Sequence, residues 1–412
     1  MSTTAGARSA TALFAFDDAT LARLAQRQGT PGFFYRAAVA GQAWSALRAA
    51  LPARVRVAYA VKANPHPRLL ALLADLGAAF DCASEGELRA AAAALRAAGA
   101  PPLPDAASSA PARLFFAGPG KQDRELLLAV ALGARVQAEG WEDLQRLDAL
   151  LRGGPPLAVN LRVHPAGGVE EERRILGGAG PSAFGVDEED VPALLARAAD
   201  LAHVRIVGLH VFAASNQRDA ARLLATHAMV LDLARRLYER HDLRLGLVDL
   251  GGGLGVPYAA DESPLDTDVL GAGLAVLLAR HAWFSGELLL EPGRFLAAGC
   301  GVYLTRVVRT KISRGVRFAI LQAGLNHLLR PALTGQPFPV RLVEDAGRGS
   351  CGPVTLAGPL CTSLDRLGDV ALPELRPGDL LAFGMAGAYG ATEAMTAFLS
   401  HPPAGETWVE TD

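Results

Sequence analysis

The feature that most constrains this 412-residue chain is an alternation of two textures. From about residue 30 to 290, short β-branched or apolar runs take turns with longer Ala/Leu/Arg stretches whose apolar spacing fits amphipathic helices. The apolar runs are VRVAYAVKA near 55, AAFDCAS near 80, LFFAG near 115, ARVQAE near 135, LAVNLRV near 160, IVGLHVF near 209, LGLVDLGGG near 249 and ELLLEPG near 290. Strands separated by helices pair in parallel, and eight such units close a TIM (β/α)8 barrel. Helices are expected in EGELRAAAAALRAAG, RELLLAVALG, WEDLQRLDALLR and from Arg218 to Arg240.

After about residue 295 the runs shorten to VYLTRVVRTK, VRFAILQA, PFPVRLVE, GPVTLAG and DLLAFG, separated by Gly, Pro and Asp. This is the texture of a β-domain. The expected fold class is therefore α/β, an N-terminal TIM (β/α)8 barrel with a C-terminal β-domain. The expected boundaries are 30–290 for the barrel, 10–29 plus 291–412 for a β-sandwich or β-barrel domain, and 1–9 for a flexible tail. PPLPDAASSAPA at 101–112 reads as a surface insertion.

Charge and composition exclude several classes of function. Forty basic residues against 42 acidic ones leave a formal charge of −2, too little field to recruit nucleic acid or anionic lipid. No run of about 18 apolar residues is free of charges or breakers, so no membrane span is expected. Cys82, Cys300, Cys351 and Cys361 are widely spaced and form no C-x-x-C pair. They point to a reducing cytoplasm without disulfides, and no metal site is expected.

Polar and glycine-rich clusters fall where barrel enzymes build their sites, at the C-terminal ends of expected strands. Lys62 ends the strand of YAVKANPHP, where it is either a snorkelling lysine or a Schiff-base lysine made nucleophilic by desolvation. GGGLG at 251–255 follows LVDL, and its glycines form either a tight turn or a backbone cradle for phosphate. In EPGRF, Glu291 and Arg294 are either a loop ion pair or a carboxylate for a protonated ring nitrogen and a fork for phosphate. His210 in GLHVFAASN is either a core histidine or a stacking imidazole. Cys361 and Tyr389 lie in Gly-bounded loops of the second domain.

Taken together, these stretches resemble the fold-type III pyridoxal-5′-phosphate (PLP) decarboxylases, the group that contains diaminopimelate, ornithine and arginine decarboxylases. Their order is Y-x-V-K-A-N at 59–64, F-D-x-A-S at 80–84, G-P-x-K at 118–121, L-R-V at 161–163, His210 and the triple glycine. E-P-G-R, R-P-A-L at 330–333, G-P-x-C at 358–361 and G-A-Y at 387–389 follow, so the resemblance spans about residues 30–400.

The resemblance implies an alanine racemase/ornithine decarboxylase-like fold, with PLP bound as a Schiff base to Lys62 and His210 stacked on its ring. It also implies Gly251, Gly252, Gly253, Arg294 and Tyr389 around the phosphate, with Gly293 and Ser215 from the same motifs, and Asp81, Ser84 and Arg162 as supporting residues. Glu291 would face the pyridine nitrogen, where racemase relatives use arginine, which favours decarboxylation. Cys361 would be the proton donor, delivered from a neighbouring subunit, so that a homodimer with shared active sites is required.

Departures from the family pattern concern the substrate. Diamine-forming relatives place acidic residues where this chain has Thr362 and Ala323. Without those carboxylates a distal ammonium loses partners worth about 1.5–3 kcal/mol each. Diaminopimelate decarboxylases combine an arginine matching Arg330 with a tyrosine and a glutamate, here Thr334 and Thr362. Arg330, Cys361, Thr362 and Tyr389 are thus the expected substrate contacts, and Arg330 implies a distal carboxylate or other anion.

H-V-F-A-A-S-N, N-H-L-L-R-P-A-L and C-T-S-L-D-R-L resemble the siderophore and secondary-metabolite subgroup. Diaminopimelate decarboxylation in lysine biosynthesis is the alternative. A non-catalytic regulatory relative is disfavoured, because Lys62, Glu291, Arg294, Cys361 and Tyr389 are all present. The Ala183 in SAFG, where relatives often have lysine, has no physical account.

Overall fold

In a computed structural model of the chain, residues 10–99, 111–166, 181–212, 215–344 and 347–410 are described. All eight expected runs form strands: Val55–Ala60, Ala79–Cys82, Leu114–Phe116, Arg135–Ala138, Leu157–His164, Val204–His210, Leu247–Asp249 and Glu287–Leu290. Each pairs in parallel with the next and the last pairs with the first, so the sheet closes into a barrel. Closure leaves no unpaired edge, and the long apolar runs are buried on both faces.

Local chemistry starts the surrounding helices. Ser84 accepts a hydrogen bond from Glu87 N and caps Glu85–Ala97, whose first turn carries Glu85 and Glu87 against the positive end of the helix dipole. Asp219 caps Ala220–His241 and Asp266 caps Thr267–Arg280 in the same way. Among the described residues no helix is long and apolar enough to cross a membrane.

The barrel forms one compact unit, residues 44–255 and 265–293; residues 1–43, 256–264 and 294–412 group as the other. In the second unit the long strand Gly301–Ser313 is the hub. It pairs antiparallel with Gly32–Arg36, Val316–Leu321 and Leu380–Phe383. Ser350–Ala357, Arg366–Pro373, Val340–Leu342 and Gly405–Val409 complete a mixed eight-stranded sheet.

This division departs from the expected boundary at residue 30. Gly32–Arg36 pairs with Gly301–Leu304 on one side and Gly405–Val409 on the other, so the segment before residue 44 groups with the β-domain. A buried apolar run before a helix looks locally like a barrel strand, and only its partners distinguish it. The expected tail at 1–9 and nearly all of the insertion at 101–112 lie outside the described residues.

Candidate active site

Lys62 sits in the short turn Val61–Ala63 that ends the first barrel strand. Its Nζ is 3.2 Å from Asp81 Oδ2, on the adjacent strand, and 5.7 Å from the Phe212 ring centre. Asp81 is buried; burial and then Glu291 push its carboxyl up, and Lys62 offsets part of the rise. The Lys62 side chain is 43% exposed, so the desolvated lysine expected from the strand is not what the fold provides. An ion pair with a buried aspartate at the barrel mouth holds the amine instead.

The chain has only three lysines. Lys121 is buried, with Nζ 2.8 Å from both Gly118 O and Asp143 Oδ2, and Lys311 lies in the strand Gly301–Ser313 of the other unit. Lys62 alone brings an accessible amine to the strand ends of the barrel.

Beneath it the barrel interior is polar where apolar side chains would be expected. Gln137, Asn160, His210, Asp249 and Glu291 are all buried. Asn160 Nδ2 donates to Gln137 Oε1 at 3.2 Å, and Gln137 Nε2 donates to Asp249 Oδ2 at 2.7 Å and weakly to Glu291 Oε1 at 3.4 Å. His210 Nε2 is 3.5 Å from Glu291 Oε2, and neither ring nitrogen has a hydrogen-bond partner among the described residues. Buried polar groups are costly without partners, so an unbonded imidazole at this depth marks a functional position.

Asp249 and Glu291 share this space but face different neighbours. Burial and the nearby Glu291 push the Asp249 carboxyl well up. Burial also works against ionised Glu291, yet His210 and Lys62 more than compensate and hold it low. The two carboxyls are thus pushed apart, Asp249 toward its protonated form and Glu291 toward its carboxylate. Sequence reasoning missed Asp249, Gln137 and Asn160, whose signal is polarity inside apolar strands.

Asp249 also accepts a hydrogen bond from Gly251 N at 2.9 Å, which ties the carboxylate pair to the glycine loop. Gly251 has φ +71° and Gly253 φ +96°. A Cβ at Gly252 would lie 2.7 Å from Glu291 O, and one at Gly251 equally close to Val211 O. Side chains are excluded here by backbone packing, which leaves the loop backbone bare as a phosphate cradle requires. The Ser215 segment is joined to this loop by Gln217 N donating to Gly253 O.

Two expected supporting residues have other occupations. The Ser84 hydroxyl caps a helix, and Arg162 pairs with Glu139 at 2.8 Å and stacks over Phe184 at 4.7 Å. Glu139 also accepts from Gly118 N and Gly185 N, so it pins two loops near the strand ends.

A second cluster lies within the β-domain unit. Arg294 Nη1 donates to Tyr258 Oη at 2.7 Å, and the Arg294 and Arg330 guanidinium groups lie 4.8 and 5.2 Å from the Tyr389 ring centre. Tyr389 has φ +57°, a conformation that bulky residues rarely adopt and that clusters at functional sites. Arg330 has a carboxylate partner that sequence reasoning missed: Glu393, at 3.1 Å.

Cys361, an expected substrate contact, is exposed, whereas Ala323, where diamine-forming relatives have an acid, is buried. The hydroxyl of Thr334 closes its helix on Arg330 O, and that of Thr362 accepts from Leu364 N.

The pattern described as "Pyridoxal-dependent decarboxylase, pyridoxal binding domain" matches residues 38–298. The chain belongs to the PLP-dependent decarboxylase family. It is 36% identical to a diaminopimelate decarboxylase of Deinococcus radiodurans, with 94% of this chain and 92% of the relative covered. It is 31% identical to the L-glutamyl-[BtrI acyl-carrier protein] decarboxylase of Niallia circulans, covering 94% and 90%. A Staphylococcus aureus 2-[(L-alanin-3-ylcarbamoyl)methyl]-2-hydroxybutanedioate decarboxylase is 29% identical over 86% of this chain and 88% of its own length. The crystal structure of Helicobacter pylori diaminopimelate decarboxylase complexed with L-lysine superposes with TM-score 0.83 at 28% identity, covering 95% and 94%.

The protein is therefore a PLP-dependent amino-acid decarboxylase. The barrel residues fit that cofactor: an accessible lysine, a buried carboxylate held ionised, an unbonded buried imidazole and a bare glycine loop.

Proposed function

We propose that the enzyme removes the α-carboxylate of an amino-acid-type substrate whose distal end reaches Arg330, as in siderophore and other secondary-metabolite intermediates that bear a further carboxylate. The observation that carries the cofactor assignment is the set Lys62–Asp81 and Glu291–His210, gathered at the C-terminal ends of the barrel strands. PLP, when bound, supplies an electron sink for the pair released as the bond between Cα and the carboxylate breaks.

The chain's own residues do the rest. Lys62 would hold the cofactor, and Asp81 orients its amine. Ionised Glu291 would keep a proton on the ring nitrogen, which maintains the ring as an electron acceptor, and His210 would help hold the ring. The loop Gly251–Gly253 and Gly293 would offer the phosphate backbone N–H groups, and the family resemblance assigns Arg294 and Tyr389 to the same anion; backbone N–H groups and a guanidinium suit it.

Cys361 returns a proton to Cα. By the family resemblance it does so in the site of a neighbouring subunit, which makes the working form a homodimer, and its exposure supports that role. The wide spacing of the four cysteines, with no C-x-x-C pair, supports a reducing cytoplasm as the compartment.

A specific observation favours diaminopimelate decarboxylation as the second reading. Glu393 beside Arg330 supplies a carboxylate that the sequence lacks at position 362. A CO2-release screen of the PLP-loaded protein with diaminopimelate, ornithine and citryl-diamino acids decides between them. Rapid release from ornithine would refute both readings.

A further inference from the structure

Arg330 is 3% exposed and begins the short helix Arg330–Thr334. A guanidinium at that depth needs a counter-charge, because its desolvation is costly when unpaired. Glu393 provides it, with its carboxylate oxygens 3.1 and 3.3 Å from Nη1. Both contacts fall on that one nitrogen, and Arg330 Nε is buried without an acceptor among the described residues.

Two consequences follow for a ligand approaching this pair. The positive charge of Arg330 is already balanced, so a ligand carrying only a carboxylate meets Glu393 as a like charge. The more accessible member is the acid: the Glu393 side chain is 28% exposed against 3% for that of Arg330. An ionised carboxylate only accepts hydrogen bonds, so it selects a group that donates them.

We propose that Glu393 is a specificity-determining residue that reads an N–H donor, ammonium or amide, at the distal end of the substrate. Arg330 is its positioning residue, held at depth by the pair. The substrate class is thus an amino acid whose far end carries an N–H donor, rather than a carboxylate alone. This inference rests on the reading that the distal end of the substrate reaches Arg330.

The test uses two matched substrate pairs with the PLP-loaded enzyme. Diaminopimelate is compared with 2-aminopimelate, which lacks the distal amine, and the succinyl amide of 2,3-diaminopropionate with the succinyl ester of serine, which lacks the N–H. Wild type should favour the N–H member of at least one pair by roughly 10- to 150-fold in kcat/KM, the range for a hydrogen bond to a charged group. Glu393→Ala should bring that ratio near one, mainly through KM. Glu393→Gln, which keeps an acceptor for both Arg330 and the ligand, should retain part of it, and it decides the matter if the alanine variant does not fold.

Equal ratios in wild type and both variants, with turnover intact, overturn the role of Glu393 alone. A PLP-loaded wild type that releases CO2 from none of the four compounds overturns the distal-end reading beneath it.

Discussion

Asp249 tests the electrostatic account of the barrel interior most sharply. It is fully buried and accepts from Gln137 Nε2 at 2.7 Å and Gly251 N at 2.9 Å. Asp249→Ala removes both acceptors. A buried donor left unsatisfied costs about 1–3 kcal/mol, and Gln137 keeps only a weak contact with Glu291 at 3.4 Å. The loss should total about 2–4 kcal/mol, and at about 2–4 °C per kcal/mol for a unit of 150–250 residues, Tm should fall by roughly 4–16 °C.

Asp249→Asn imitates the protonated acid, keeps an acceptor for Gly251 N and loses only the one for Gln137, so it should cost about half as much. The two variants should also differ in pH dependence. Because the folded state raises the pKa of Asp249, its contribution is fully present below the ordinary carboxyl range and is lost as pH rises through the folded value. The asparagine variant has no such loss, so its deficit relative to wild type should shrink as pH rises. Thermal melts of the three proteins from mildly acidic to alkaline pH read this directly. An asparagine variant as unstable as the alanine variant throughout, or a deficit that widens with pH, would refute the upward push on the Asp249 carboxyl.

Two further outcomes are expected. Cys361→Ala should leave Tm and PLP loading unchanged, because the side chain is exposed, while kcat falls by about 10²–10⁴, the usual share of a positioned proton donor. Unchanged steady-state kinetics would remove the residue from the mechanism. Burial lowers His227, in the helix Ala220–His241, to about 4, so the folded state favours its neutral form. That contribution is present above about pH 6.5 and lost as pH falls toward 4, to the extent of about 3 kcal/mol. His227→Gln should flatten the acid limb of the stability curve, and an unaltered limb would count against the burial argument.

Much of the fold was legible because each barrel strand is a short apolar run bounded by glycine, proline or a helix start. Lys62, His210 and Glu291 stood out for one reason: each is a polar residue at or just beyond the end of such a run. Gly32–Arg36 fell within the expected barrel span of 30–290, and its grouping was not legible because its partner at Gly405–Val409 lies far along the chain. Glu393 was invisible for a related reason. It meets Arg330 across 63 residues, and no periodicity marks that meeting.

Arg330 shows what such a gap costs. Taken alone, a retained arginine implied a substrate anion; beside Glu393 it becomes half of a neutral pair. The exposure of Lys62 was also beyond the sequence, because an apolar strand says nothing about how open its end is.

The central claim is that Lys62 carries PLP in a decarboxylase. The most direct measurement is borohydride reduction of the PLP-loaded protein, proteolysis and mass spectrometry of the peptides around its three lysines. One phosphopyridoxyl group per chain on Lys62, with loss of the visible absorbance band and of all CO2 release in Lys62→Ala, is the predicted result. Label on Lys121 or Lys311, or a Lys62→Ala protein that still binds PLP covalently, would contradict it.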